Sequence, residues 1–253
     1  MKLHITEQGE GQVSQSMERI ELRVPSSTKE QYSNAQIASY QTRSDFVFRP
    51  PLRLSLTAWV EGHLHGTAGF GFWNHPFAPG SKGIHLPKSL WFFHATTPNN
   101  MALALDVPGW GWKCATLDAT RWQFLAMLPT APIGLILMRS HWLYRLLWPV
   151  GQRALGVSEH LLDRTLLMSP HQYMIEWYPD QATFYVDGVP QFFTNRVPAG
   201  PLEFIAWVDT QYAVVTPQGY FRFGLLDTTE SQMMFIQDLQ IETLKHGAEH
   251  QVK

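Results

Sequence analysis

The chain has 253 residues, 19 Lys+Arg against 21 Asp+Glu, and a formal net charge of −2. Nucleic-acid binding is excluded as the expectation because no basic excess exists, and disorder because 45% of residues are hydrophobic. A single cysteine, Cys114, excludes an intramolecular disulfide framework and any multi-cysteine metal site. A chain of this length buries roughly three quarters of its unfolded surface, so its core needs no cross-links. What remains to be explained is low charge (16% of residues) beside 13% aromatics, ten of them Trp.

From the N-terminus, MKLHITEQGEG has no apolar stretch behind Lys2, so no secretory leader is read. No window reaches the length of uninterrupted apolar sequence that a spanning helix needs. The expected location is cytoplasmic or at a membrane surface. Residues 18–24 alternate polar and apolar. In 52–61, Leu52, Leu54, Leu56, Ala58 and Val60 share one face, as in an antiparallel strand with one side in a core. Further strands are expected at 67–73, 89–95 and 101–106.

From Ala119 to Ser158 the sequence has no Asp or Glu but carries Arg121, Arg139, Arg145 and Arg153, with Trp122, Trp142, Trp148 and long aliphatic runs. Pro129, Pro132 and Pro149 are expected to cut it into helices of one to four turns. Ser158-Glu159 reads as the start of a further short helix through Leu167. The whole, residues 118–168, is expected to be a helical insertion in one β domain spanning 1–253. Strands follow at His171–Trp177 and Gln181–Val186, joined through Pro179-Asp180. Asp187-Gly188 then supplies the two positive-φ positions of a tight hairpin turn. The strands 202–209, 219–225 and 233–242 complete a β-rich half without βαβ alternation, which argues for a sandwich or jelly roll.

The run from Tyr173 through Trp177, Pro179, Asp180 and Tyr185 to Asp187-Gly188, led by His171, resembles the family 16 glycoside hydrolases of the concanavalin A-like lectin/glucanase superfamily. Phe235–Ile241 is similar to the terminal core strand of that fold, and 66–73 followed by 90–93 to the strands before its active site. The resemblance implies an all-β, concanavalin A-like jelly-roll β-sandwich, here with an α-helical insertion. It does not carry the activity across. The family's catalytic strand holds Glu-x-Asp-x-x-Glu, and a retaining mechanism needs two carboxyls about 5–5.5 Å apart. The corresponding stretch, Leu90–Thr97, has no carboxylate, and the motif occurs nowhere in the chain.

The site candidates follow from that gap. His94 lies inside the degraded motif and could move a proton, with a satisfied core histidine as the leading alternative. Asp209 follows Trp207 on a strand that would face a ligand, where burial would raise its pKa. The two are the catalytic candidates. Trp73, Trp91, Trp110 and Trp207, with Asp106 and Tyr212, are the ligand-binding candidates, since indole faces stack on sugar rings or enclose apolar ligands. Trp112 belongs with these tryptophans by position, and packing between sheets must claim several of them. Glu176, Asp180, Asp187 and Asp238 match structural positions.

Glu61, His63 and His65 fall on one side of a continued strand and could bind zinc or iron, but the spacing fits strand-exit residues as well, and no metal or cofactor is assigned. Gly66–Gly71 lies inside a strand and reads as close sheet packing or cleft floor, not as a phosphate loop.

The expectation is a small-molecule ligand, apolar in whole or part, in a cleft capped by the helices, with isomerisation or cyclisation as the reaction class. The alternatives are carbohydrate binding without hydrolysis and hydrolysis by relocated acids. Residues 119–158 are expected to form a helical subdomain buried against the sandwich, a lid, a homodimer contact or a membrane-surface contact.

Overall fold

The computed structural model describes residues 1–244 apart from 77, 79, 80 and 84. In chain order the first strands are β1 (His4–Gln8), β2 (Gln12–Gln15), β3 (Ile20–Val24), β4 (Asn34–Ala38) and β5 (Leu52–Glu61). Next come β6 (Thr67–Trp73), β7 (Lys88–Ala95) and β8 (Gly111–Asp118). The helices α1 (Trp122–Met127), α2 (Ala131–Leu137) and α3 (His141–Ala154) follow. Then β9 (Ser158–Leu161), β10 (His171–Trp177), β11 (Ala182–Val186) and β12 (Val189–Thr194) lead to β13 (Glu203–Asp209). Finally β14 (Gln211–Val215), β15 (Phe221–Leu225) and β16 (Gln232–Thr243) close the chain.

Alternation in sequence becomes two stacked sheets. The first runs β1-β4-β13-β6-β7-β8-β9 and the second β12-β11-β10-β5-β16-β3-β2; a separate hairpin is β14-β15. Neighbouring strands are antiparallel throughout. Leu54, Leu56, Tyr173, Ile175 and Trp177 of the second sheet meet Phe70, Phe72, Leu90, Phe92, Trp112 and Phe204 of the first. Edge-on ring contacts such as Phe92–Tyr173 at 5.0 Å and Phe70–Tyr173 at 5.2 Å lock this layer. The turn at Asp187-Gly188 has φ of 49° and 74° and joins β11 to β12 as its sequence requires.

Three expectations are corrected. Residues 101–106 are not a strand: Met101 N bonds across the loop to Gly109 O, and Asp106 has φ of 62°. Residues 158–167 are not one helix: Ser158–Leu161 pairs with the otherwise open edge of β8. The cap that does form is Asp163, whose carboxylate accepts from Thr165 N at 2.9 Å at the head of a 3-10 turn over Arg164–Leu167. Pro149 does not cut a helix either, since α3 continues through it to Ala154.

The helices reach the sandwich through a loop. Trp148 Nε1 donates to Leu103 O at 2.8 Å, Leu105 N to Gln152 Oε1 at 3.0 Å, and Arg145 forks onto Asp106 at 2.9 and 3.2 Å. The loop in turn pairs with the hairpin β14-β15, through Asn100 N to Ala213 O and Val215 N to Asn100 O. Among the described residues, no helix is long and apolar enough to cross a membrane.

Candidate functional site

Strand parity assigns each residue of the first sheet to one of two faces. On β7, Leu90 and Phe92 enter the core, so Trp91, Phe93 and Ala95 take the outer face. Register extends that face sideways. Trp207 lies opposite Gly69, Gly69 opposite Phe93, and Phe93 opposite Lys113; one row over, Ile205 faces Gly71, and Gly71 faces Trp91. Beyond β13, Gln36 is opposite Trp207 and Thr6 opposite Gln36, while His4 pairs with Ala38. The outer face therefore grades from indoles and Phe93 at its centre to His4, Thr6 and Gln36 at one side, all three half-buried.

The centre is continuous. Trp91 lies 5.1 Å from Trp207, 5.6 Å from Phe93 and 6.0 Å from Trp73 by ring centroids. Gly69 permits this: a Cβ there would sit 3.0 Å from the Trp207 ring and collide with the carbonyl of Phe92. Trp207 and Phe93 are buried, whereas Trp91 and Trp73 keep part of their rings exposed.

Each end of the row is fixed by a hydrogen-bonded group. At one end Trp207 Nε1 donates to Thr67 Oγ1 at 3.0 Å, and Thr67 Oγ1 donates to Asp209 Oδ1 at 2.8 Å. Tyr32 Oη donates to Asp209 Oδ2 at 3.1 Å, and Thr67 N to Oδ1 at 3.2 Å. Burial pushes the Asp209 carboxyl up to about 7 even though these bonds favour the charged form.

At the other end Trp73 Nε1 donates to Tyr40 Oη at 3.0 Å, and Tyr40 Oη lies 2.6 Å from His75 Nδ1, with the His75 ring stacked 4.5 Å from Trp73. Burial, assisted by Arg43, lowers His75 to about 4 and keeps the ring neutral. Beside it Glu203 is buried and accepts from Ser39 Oγ and Val47 N; burial raises its pKa.

The predicted site residues thus separate. Trp73, Trp91 and Trp207 meet, with Asp209 joined to Trp207 through Thr67. His94 does not join them. It has the parity of Phe92, is buried, and has no partner for Nδ1 among the described residues; burial lowers it to about 4. The two residues expected to be catalytic, His94 and Asp209, therefore sit on opposite faces of one sheet. Asp106 is an exposed loop residue paired with Arg145, not a strand-end acid. Trp110 is exposed ahead of β8, and the ring of Tyr212 lies against Gly224 with Arg222 6.0 Å above it. Trp112 is core.

The histidines at the strand exit scatter as well. His65 turns to Glu230 at 3.4 Å after Gly62 breaks the run with φ of 83°. Among the described residues no three His, Cys, Asp or Glu come together.

Sequence reasoning missed Phe93, Gln36, Thr67, Tyr32 and Tyr40. On β7 each row mixes large apolar residues with at least one polar residue, so alternation gave no way to tell the outer face from the core. Gln36 and Tyr32 lie in and beside a strand too short and mixed to read.

No family model matches the sequence, and no curated protein matches it. Solved structures do share the architecture. One, reported with endo-acting O-glycanases of human gut microbiota that initiate mucin breakdown, has a TM-score of 0.53 at 11% identity, over 96% of this chain and 92% of that one. A second, the Crh5 transglycosylase in complex with NAG, has a TM-score of 0.50 at 11% identity, over 96% and 79%. The fold is the concanavalin A-like jelly roll. On this concanavalin A-like sandwich, the strand expected to bear the glucanase carboxylates is β7, and its outward row is Ser89, Trp91, Phe93 and Ala95.

Proposed function

We propose that this protein binds a carbohydrate on the outer face of the first sheet and does not cleave it by a two-carboxyl mechanism. The observation that carries the reading is the pair of partly exposed indoles, Trp91 and Trp73, set in a continuous aromatic row with Gln36, Thr6 and His4 beside it. Sugar rings present apolar C–H faces and hydroxyl rims, which such a surface matches: indoles below, amide, hydroxyl and imidazole at the side. Two structures of the same fold come from proteins named for carbohydrate chemistry, which agrees with the reading without carrying it.

The acids present do not suit hydrolysis. Asp209 and Glu203 share the outer face of β13 but stand six residues apart, roughly 20 Å along a strand. Retaining and inverting enzymes need roughly 5 to 9.5 Å. Glu159 is occupied by Lys113 Nζ at 3.1 Å. An enclosed apolar ligand would require the helices to line the sheet face, and the bonds that hold α3 go to the intervening loop instead.

Calorimetric titration with cello-, laminari- and chitohexaose tests the proposal. At least one of them is expected to bind, without release of reducing ends. Trp91→Ala is expected to weaken that binding about ten-fold, since stacking and the buried ring area together are worth on the order of 1–2 kcal/mol. Binding by none of the three, or unchanged affinity in Trp91→Ala, would contradict it.

A further inference from the structure

The helical segment has a surface that the sheet-face site does not use. α3 turns Trp148, Gly151 and Ala154 inward, with the Trp148 ring packed on Gly151. Its opposite side repeats at i, i+4 and i+8 as Trp142, Leu146 and Val150. α2, packed against α3, adds Ile133 and Ile136, and α1 adds Trp122. These six side chains are between 57 and 73% exposed. A helix apolar on both sides has one face in need of cover, and an exposed apolar patch of this extent marks an interaction surface.

Charge identifies what covers it. Between Ala119 and Ser158 there are four arginines and no Asp or Glu. Arg145 is held by Asp106, while Arg139 and Arg153 are exposed. At the foot of α3, Arg121 and Arg153 lie near Arg196, whose Nη1 donates to Val157 O at 2.9 Å; burial and the two like charges lower the Arg196 pKa. A second copy seated symmetrically on this patch would set arginine against arginine with no carboxylate of the segment between them. An anionic bilayer supplies the missing charge. Trp, Ile and Leu suit its headgroup boundary, and arginine stems lie along the apolar layer with their heads in the phosphates.

We propose that residues 119–158 dock this protein on the surface of an anionic phospholipid membrane, with α2 and the Trp142–Leu146–Val150 stripe of α3 entering the headgroup layer.

Co-sedimentation of the full chain with vesicles tests this. Retention is expected on mixed phosphatidylcholine–phosphatidylglycerol vesicles, weakened by salt. Each arginine at an anionic surface contributes about 1 kcal/mol, so Arg139→Ala with Arg153→Ala should weaken retention roughly thirty-fold. Trp142→Ser with Leu146→Ser should weaken it at least about ten-fold through lost apolar insertion. Circular dichroism melts of both variants, unchanged from the parent, would assign these losses to the surface. No retention on the mixed vesicles, equal retention on phosphatidylcholine alone, or a dimer in sedimentation equilibrium that Trp142→Ser abolishes would each overturn the proposal.

Discussion

Asp209 shows how much a single residue's surroundings decide. Four hydrogen bonds favour its carboxylate, yet complete burial wins and sets its pKa near 7. The folded pKa is above the unfolded value of 3.8, so the folded state holds a proton that the unfolded state loses first. Asp209's own contribution to stability is therefore fully present below about pH 4, is lost as pH rises towards 7, and amounts to up to about 4 kcal/mol. Asp209→Asn keeps an acceptor for Thr67 and should flatten that decline, leaving the variant more stable than the parent at pH 8. Denaturant unfolding at pH 4, 6 and 8 measures it.

Asp209 was legible as a buried acid beside a tryptophan. His94 was legible as a core histidine, but its role as a proton carrier was not testable from sequence, because which face a residue takes on a strand with large apolar side chains in both rows depends on parity relative to the core. In Ser89–Ala95 both parities carry large apolar side chains, and packing against Tyr173 and Phe184 fixes Phe92, and so His94, as inward.

At the scale of elements, β6 gives the site its clearance, and the β8–β9 pair ends the same sheet. Gly69 gives β6 the clearance over which the Trp207 indole lies. Gly69→Ala should destabilise the protein by about 2–4 kcal/mol, through displaced indole and backbone, and expose Trp207; thermal melts with tryptophan emission read both effects.

Strands β8 and β9 flank the helices and are joined by Lys113 and Glu159 at 3.1 Å, with Lys113 Nζ also donating to Pro108 O at 3.1 Å. Both side chains are buried, and burial raises the Glu159 pKa against the pull of Lys113. Lys113→Met alone strands a buried carboxylate and should cost about 3–5 kcal/mol, whereas adding Glu159→Leu should recover most of it. A denaturation series on the two variants checks this.

Elements with clean alternation were legible to the residue: 52–61 and 67–73 are β5 and β6 as read. Residues 101–106 are apolar enough for a strand, but form a loop whose backbone bonds go to Gly109 and Gln152. Ser158-Glu159 has the form of a helix start, and the unpaired edge of β8 outweighs it.

Across the whole molecule, the ten tryptophans of a weakly charged chain divide by layer. Trp112 and Trp177 fill the core, and Trp59 stacks on Phe235 at 5.0 Å on the far side of the second sheet. Trp73, Trp91 and Trp207 floor the outer face of the first, and Trp122 and Trp142 stand on the helices. The sandwich was legible because its hairpin of Pro179-Asp180 and Asp187-Gly188 is local in sequence. The site was legible only in its tryptophans, because the face is assembled from β1, β4, β13, β6 and β7, which are distant along the chain.

Each tryptophan gives one indole N–H signal in a nitrogen-15 correlation spectrum. Titration with cello-, laminari- and chitohexaose is therefore the most direct test of the sheet-face site. The Trp73 and Trp91 signals, assigned by substitution, are expected to move with added sugar while those of Trp112 and Trp177 stay. Movement confined to Trp122 and Trp142, or none at all with any of the three, would contradict it.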